Sequence, residues 1–168
     1  MSNPILTAAM INKIDHCSSK FPVDQKRSAL LMALRVVQDE YGWLSEQAID
    51  AVADHLSLPR IYAYEVVEFY SLYRRKKPGK HVIKVCNSIS CYLCASQDLI
   101  HLCEKKLGIK LGETTPCGRF TLEETECIAA CAGAPAILVN DAVYHEEVTA
   151  TKLDQILHGL TTNEVPND

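Results

Sequence analysis

Apolar residues recur at helical spacing through the first seventy positions. Leu6, Met10, Ile14 and Cys17 make one stripe; Leu30, Leu34, Val37 and Tyr41, with Ala33 beside them, make a second that Gly42 stops. Ser45 is placed to cap a third helix with the stripe Ala48, Ile49, Val52, Ala53 and Leu56. Ser57 and Pro59 open a fourth, with Ile61, Val66, Phe69, Tyr70 and Tyr73 as its apolar positions. Four short amphipathic helices predict a small bundle. The segment Arg74-Arg75-Lys76-Lys77-Pro78-Gly79-Lys80 breaks the pattern and reads as a linker.

Beyond the linker the period changes. His81–Val85 alternates as a strand, and Tyr92–Leu107 reads as one helix with Leu93, Ile100, Cys103 and Leu107 on one side and Gly108 closing it. Phe120–Thr125 is a strand; Ala136–Val139 is a buried strand whose hairpin partner, Ala142–His145, follows an Asn140-Asp141 turn. Thr149–Leu160 closes the chain as a helix facing inward through Leu153, Ile156, Leu157 and Leu160. The order strand, helix, three strands, helix suits a thioredoxin-like layer of helices on a small mixed sheet. The expected architecture is α+β: a helical bundle over residues 1–77, then a thioredoxin-like domain over 78–168.

The chain has 168 residues, 48% hydrophobic and 23% charged, and a net charge of −4, which speaks for a soluble globular protein and against a nucleic-acid binder. Charge divides unevenly: residues 1–84 carry 12 basic and 9 acidic side chains (+3), residues 85–168 carry 5 and 12 (−7). The apolar run Cys127–Val139 is too short, and too interrupted by Gly133 and Pro135, to span a membrane. The first residues carry no basic, signal-like segment, so a cytoplasmic chain is expected.

Eight cysteines change the picture, because seven of them (Cys86, Cys91, Cys94, Cys103, Cys117, Cys127 and Cys131) fall within one stretch. In a reducing compartment such thiols are core filler, redox groups or metal ligands. Three chemistries compete. Cys91-Tyr92-Leu93-Cys94 is a C-x-x-C opening a helix, as in thiol–disulfide oxidoreductases, but that leaves Cys86, Cys127 and Cys131 without a role. Four thiolates from Cys86, Cys91, Cys127 and Cys131 suit structural zinc, although that metal favours tighter pairs. The same four suit a [2Fe–2S] cluster, two per iron, if the loop after the first strand and the loop before Pro135 emerge at one end of the sheet. Cys86-x4-Cys91-x2-Cys94 also fits a plant-type ferredoxin start, which would make Cys94 a ligand and idle one of the later pair. The two-pair assignment is preferred, with Cys94 as a small buried residue. The small residues Ala129, Ala130, Ala132 and Gly133 are expected to let backbone N–H groups reach sulfur. Cys17 and Cys103 are expected in the core, and Cys117 as an inert loop thiol. The six histidines form no pair at metal spacing, and Trp43 and the tyrosines of residues 62–73 suit core or interface positions.

Val36–Ser45 (VVQDEYGWLS), Glu68–Tyr73 (EFYSLY), Cys86–Cys91 (CNSISC), Gly118–Cys131 (GRFTLEETECIAAC) and Gly133–Asp141 (GAPAILVND) together resemble a known family over nearly the whole chain. It is the thioredoxin-like [2Fe–2S] E subunit of bacterial NADH–quinone oxidoreductase, respiratory complex I. The chain departs from many members at Ser88-Ile89, where they have Gly-Thr, and at Ala129, where they have Gly. The resemblance implies one [2Fe–2S] cluster on Cys86, Cys91, Cys127 and Cys131. It implies one-electron exchange with the FMN of an NADH-oxidising F-type partner subunit, temporary storage of that electron, and a helical half that docks and spaces. Other implied partners are the rest of the complex's peripheral arm, with the chain cytoplasmic, at the inner face of the membrane and not inserted in it. No G-x-G-x-x-G or P-loop is present, so FMN and NADH are expected only through the partner, and the isolated chain is not expected to oxidise NADH. The related subunit of an NAD-linked hydrogenase or formate dehydrogenase is the neighbouring reading.

Overall fold

A computed structural model describes residues 5–162 and divides the chain into two compact units between Lys77 and Pro78. In the first unit, α1 (Ala8–Ser18) starts at Thr7, whose hydroxyl accepts the Met10 N–H at 3.2 Å while Met10 sulfur accepts the Thr7 N–H. A 3₁₀ segment, Val23–Ala29, leads into α2 (Leu30–Tyr41); its sequence, VDQKRSA, has no apolar period and gives no helical signal. Gly42 ends α2 in the left-handed conformation, φ 78°. Ser45 caps α3 (Glu46–His55) through Ala48 N–H, as expected, and Pro59 precedes α4 (Arg60–Phe69). The core is Met10, Ile14, Leu30, Leu34, Val37, Ile49 and Val52, closed by Ala63 and Val67 of α4. Buried Gln38 ties down the segment after α4, donating to Leu72 C=O and accepting from Arg74 N–H, both at 2.8 Å.

Two apolar assignments in this unit are corrected. The inward face of α4 is Ala63 and Val67, whereas Ile61 and Phe69 are 60% and 80% exposed. A helix apolar on several sides does not announce which side faces in, and the small side chain at 63 permits the close approach. Tyr41 ends its stripe exposed, its hydroxyl donating to Ile5 C=O.

The second unit is a four-stranded sheet, β1 (His81–Cys86), β2 (Phe120–Thr125), β3 (Ile137–Val139) and β4 (Val143–His145), in the order β2-β1-β3-β4. β1 and β2 are parallel, with Cys86 opposite Thr125; β3 runs antiparallel to both β1 and β4. Ile83, Val85, Leu122, Ile137 and Val139 pack against Leu99, Ile100 and Cys103 of α6 (Ser96–Leu107) and Leu153, Ile156 and Leu160 of α7 (Ala150–Thr162). The single helix expected over 92–107 is two: α5 (Ile89–Leu93) ends at Cys94, and Ala95, at φ 64°, turns the chain into α6. A left-handed alanine leaves no mark on apolar periodicity. The break swings Leu93 and Cys94 outward, so neither is buried as expected. Among the described residues, no helix is long and apolar enough to cross a membrane.

Gly79 is more than a turn residue. Its N–H donates to Thr121 Oγ1 at 2.6 Å, and a β-carbon there would stand 2.9 Å from both the carbonyl carbon and the nitrogen of Phe120. Backbone cannot yield as a flexible side chain does, so Gly79→Ala is expected to destabilise the second unit by about 1–3 kcal/mol, read as a lower urea midpoint.

Candidate metal centre

Because β1 and β2 are parallel, the loops that follow them leave at the same end of the sheet, and antiparallel β3 starts there. Cys86 closes β1 and Cys91 lies on the inner side of α5; both are 2% exposed. Cys127 follows β2, and Cys131 opens the short turn that leads through the cis Ala134–Pro135 bond into β3. Cys86 N–H donates to Ala136 C=O at 3.1 Å, which holds the first loop against the last. Cys86, Cys91, Ala130 and Ala136 form a small buried cluster, with Ile128 and Ala134 packed on it.

Cys127 and Cys131 Sγ are 3.8 Å apart. Two thiolates held by one tetrahedral ion at about 2.3 Å each stand about 3.8 Å apart, so this couple has the spacing of ligands on a shared metal. Burial pushes the Cys91 thiol up to about 11, and its neighbours Cys86 and Cys131 push the same way. Cys91 is thus close enough to feel both Cys86 of its own couple and Cys131 of the other. Among the described residues no three His, Cys, Asp or Glu side chains converge on a single-ion position. By donor chemistry, the four thiols, two buried and two exposed, fit a two-iron centre.

Backbone at the site has specific tasks. Ala129 sits at φ 62° and directs its N–H to Cys127 Sγ at 3.4 Å, as expected of the small residues there. Asn87, between the first two cysteines, carries no signal in the sequence, yet it joins three elements. Its Oδ1 accepts from Ser96 Oγ at 2.9 Å and Gln97 Nε2 at 2.8 Å, its Nδ2 donates to Glu124 Oε2, and its N–H donates to Thr125 C=O. Ser96 is fully buried. Asn87→Ala strips that hydroxyl of its acceptor and is expected to cost about 1–3 kcal/mol. Asn87→Asp keeps the acceptor and should recover part of the loss in a denaturation titration.

The remaining cysteines separate clearly. Cys103 is core, and burial pushes its thiol up to about 12. Cys17 is only half-buried. Cys94 is exposed at the end of α5. Cys117 is exposed, and a hydrogen bond with Thr115 Oγ1 at 3.4 Å pulls its pKa below the usual thiol value. That contact depends on a turn folding back on itself, which spacing does not reveal.

A small sheet layered with helices, with two cysteine couples at the end where its parallel strands finish, is the arrangement of a thioredoxin-like iron–sulfur protein. The chain belongs to the thioredoxin-like [2Fe-2S] ferredoxin family, whose pattern matches residues 14–161. It is 43% identical over 151 residues to the E subunit of NADH-quinone oxidoreductase from Rickettsia conorii, covering 89% of this chain and 90% of the relative. It is 37% identical over 158 residues to "NADH dehydrogenase [ubiquinone] flavoprotein 2, mitochondrial" of Dictyostelium discoideum, covering 92% of this chain and 64% of that one. Among solved structures it shares the fold of part of an NAD+-reducing [NiFe]-hydrogenase, with a TM-score of 0.69 at 21% identity, over 80% of this chain and 23% of that one. Family membership supports a [2Fe–2S] cluster, and an iron–sulfur electron-transfer role fits the chain.

Proposed function

We propose that Cys86, Cys91, Cys127 and Cys131 hold one [2Fe–2S] cluster, and that the chain is the electron-transfer subunit of an NADH–quinone oxidoreductase. It would exchange single electrons with the FMN of a partner flavoprotein. The observation that supports this is that the topology brings the loops bearing the two cysteine couples to one end of the sheet. When bound, the cluster supplies one-electron redox chemistry. Cys86 and Cys91, both buried, would hold the cluster on their side away from water, and the exposed Cys127 and Cys131 would hold it near the surface, where electrons can be exchanged. Ala129 N–H supplies a hydrogen bond that stabilises negative charge on Cys127. A carrier of one electron cannot take a hydride's two electrons alone, so NADH oxidation belongs to the partner. The helical unit docks within the peripheral arm of the complex, which keeps the chain on the cytoplasmic side of the membrane.

Iron and acid-labile sulfide analysis of the purified chain tests this reading. Two irons and two sulfides per chain, a red-brown colour and an EPR signal on reduction are expected; a colourless, zinc-only protein overturns it. The flavoprotein that co-purifies from the source cells distinguishes an NADH–quinone oxidoreductase from an NAD-linked hydrogenase or formate dehydrogenase. Thiol–disulfide exchange is disfavoured because Cys91, at 2% exposed, is out of reach of a disulfide substrate. Cys94→Ser is expected to keep the full visible spectrum; its loss would make Cys94 a ligand.

A further inference from the structure

At the end of the sheet away from the cysteines stands a buried titratable side chain that has no part in the site described above. His81 opens β1 and is 6% exposed, on the same face of the strand as Ile83 and Val85. Its ring lies 5.7 Å from that of Phe120, its partner across the β1–β2 pair. Among the described residues its Nε2 has no hydrogen-bond partner. Leu160 C=O, near the end of α7, acts on the ring without a hydrogen bond to Nε2.

Nδ1 is 3.3 Å from Asn140 Nδ2, and the other bonds of Asn140 decide which atom carries the proton. Val82 N–H donates to Asn140 Oδ1 at 2.9 Å, so the amide cannot turn over without leaving that N–H against an NH2 group. Asn140 N–H donates to Val82 C=O, also at 2.9 Å, and fixes the residue in place. Asn140 Nδ2 is therefore the donor, Nδ1 accepts, and the neutral ring carries its proton on Nε2. A second proton has only Nδ1 to add to, where it would meet the Asn140 N–H. Among the described residues the charges that act on the ring are Lys80, next to it in the chain, and Arg119, before β2, and both oppose a positive ring. Carboxylates on the adjoining elements have other partners: Asp141 and Glu123 share Lys84, Asp154 of α7 holds Lys106 of α6, and Glu104 holds Lys110. His158 of α7 is exposed.

We propose that His81 and Asn140 form a proton-sensitive clasp. With His81 neutral, it ties the start of β1 to the β3–β4 turn and seats the end of α7; a proton taken from solvent at Nδ1 opens it. Opening replaces a donor–acceptor contact with two facing donors and leaves an imidazolium in a buried position. The last turn of α7 then loosens, while the Cys86 N–H bond to Ala136 C=O, at the cysteine end, is untouched. Burial, with Lys80 and Arg119 adding to it, holds His81 below the ordinary histidine value of about 6.5. The unfolded chain therefore takes up this proton at a higher pH than the folded one. The stability that the clasp contributes is whole above about pH 6.5 and is lost as pH falls through the lowered value.

Nitrogen-15 spectra of the histidine rings in the full chain test the tautomer. At pH 7.5 His81 should show a protonated Nε2 and a bare Nδ1, and it should titrate below the ordinary value. An Nδ1–H tautomer, or a midpoint at or above that value, overturns the clasp. Asn140→Asp tests its cause. The carboxylate keeps an acceptor for Val82 N–H and offers another to Nδ1–H, so His81 should titrate about one pH unit or more above its midpoint in the natural chain. An unchanged midpoint overturns the role of the amide. Hydrogen exchange reads the opening itself. Protection of residues 153–162 in the natural chain is divided by that in His81→Gln at the same pH, so that intrinsic rates and any constant loss in the variant cancel. The ratio should fall several-fold from pH 7.5 to pH 5.5. His145, also held below the usual value by burial, contributes equally to both chains. A constant ratio overturns the opening, and if His81→Gln does not fold, the two ring titrations decide alone.

Discussion

Cys86→Ser is expected to leave the chain with almost none of its iron, and Cys91→Ser to do the same. Both side chains are 2% exposed, so a hydroxyl placed there meets a nearly dry pocket. Serine does not supply a thiolate, and water has little room to enter as a replacement ligand. Cys127 and Cys131 are exposed, so their serine variants are expected to retain part of the iron, with altered visible absorption. Cys117→Ser removes a thiol that contacts Thr115 and none of the four cysteines, and should leave the spectrum unchanged. Ligand binding to the folded state adds to folding stability, so the variants that lose iron should also melt at lower temperature than the loaded chain. A full spectrum in Cys86→Ser would remove that residue from the ligand set and, with it, the two-pair arrangement.

Much of this was legible in the sequence, for definite reasons. Stripes such as Leu30–Leu34–Val37 mark a helix because one face must be buried, and both core residues and period follow from it. The change to short alternating segments after Pro78 marks the sheet unit. The cysteine couples stand out because thiols bunched in one stretch of a reduced chain need a use. What stayed hidden depends on features without a period. Ala95 at φ 64° splits a helix in the middle of helix-forming residues. The Asn87 side chain matters through three hydrogen-bond partners, two of them in α6 and one near the end of β2, that only the folded loop brings within reach. Gly79 looks like a turn residue, yet its small size is required by the backbone of Phe120.

Gly133 illustrates the same point with the larger consequence. Beside the sulfurs, its small size is readily read as room for backbone to approach the cluster. The structure gives a different cause: a β-carbon on Gly133 would overlap the Glu146 side chain, at its Cβ as well as its carboxylate. Glu146 lies across the turn that begins at Cys131, and the next residue fixes it there, Glu147 N–H donating to Gly133 C=O at 2.6 Å. Gly133→Val therefore sets the Cys131 turn against the segment after β4. The overlap reaches Glu146 Cβ, so a change of rotamer does not relieve it and backbone must move. A cost of about 1–3 kcal/mol is expected from overpacking alone. Because the displaced backbone carries Cys131, most of the iron should be lost as well, with Gly133→Ala intermediate. Glu146→Gly removes the overlapping atoms, so the double variant Gly133→Ala, Glu146→Gly should regain iron that Gly133→Ala alone loses. Iron content that stays low in the double variant would assign the need for glycine to the sulfurs instead, since the carboxylate would then be irrelevant to the turn.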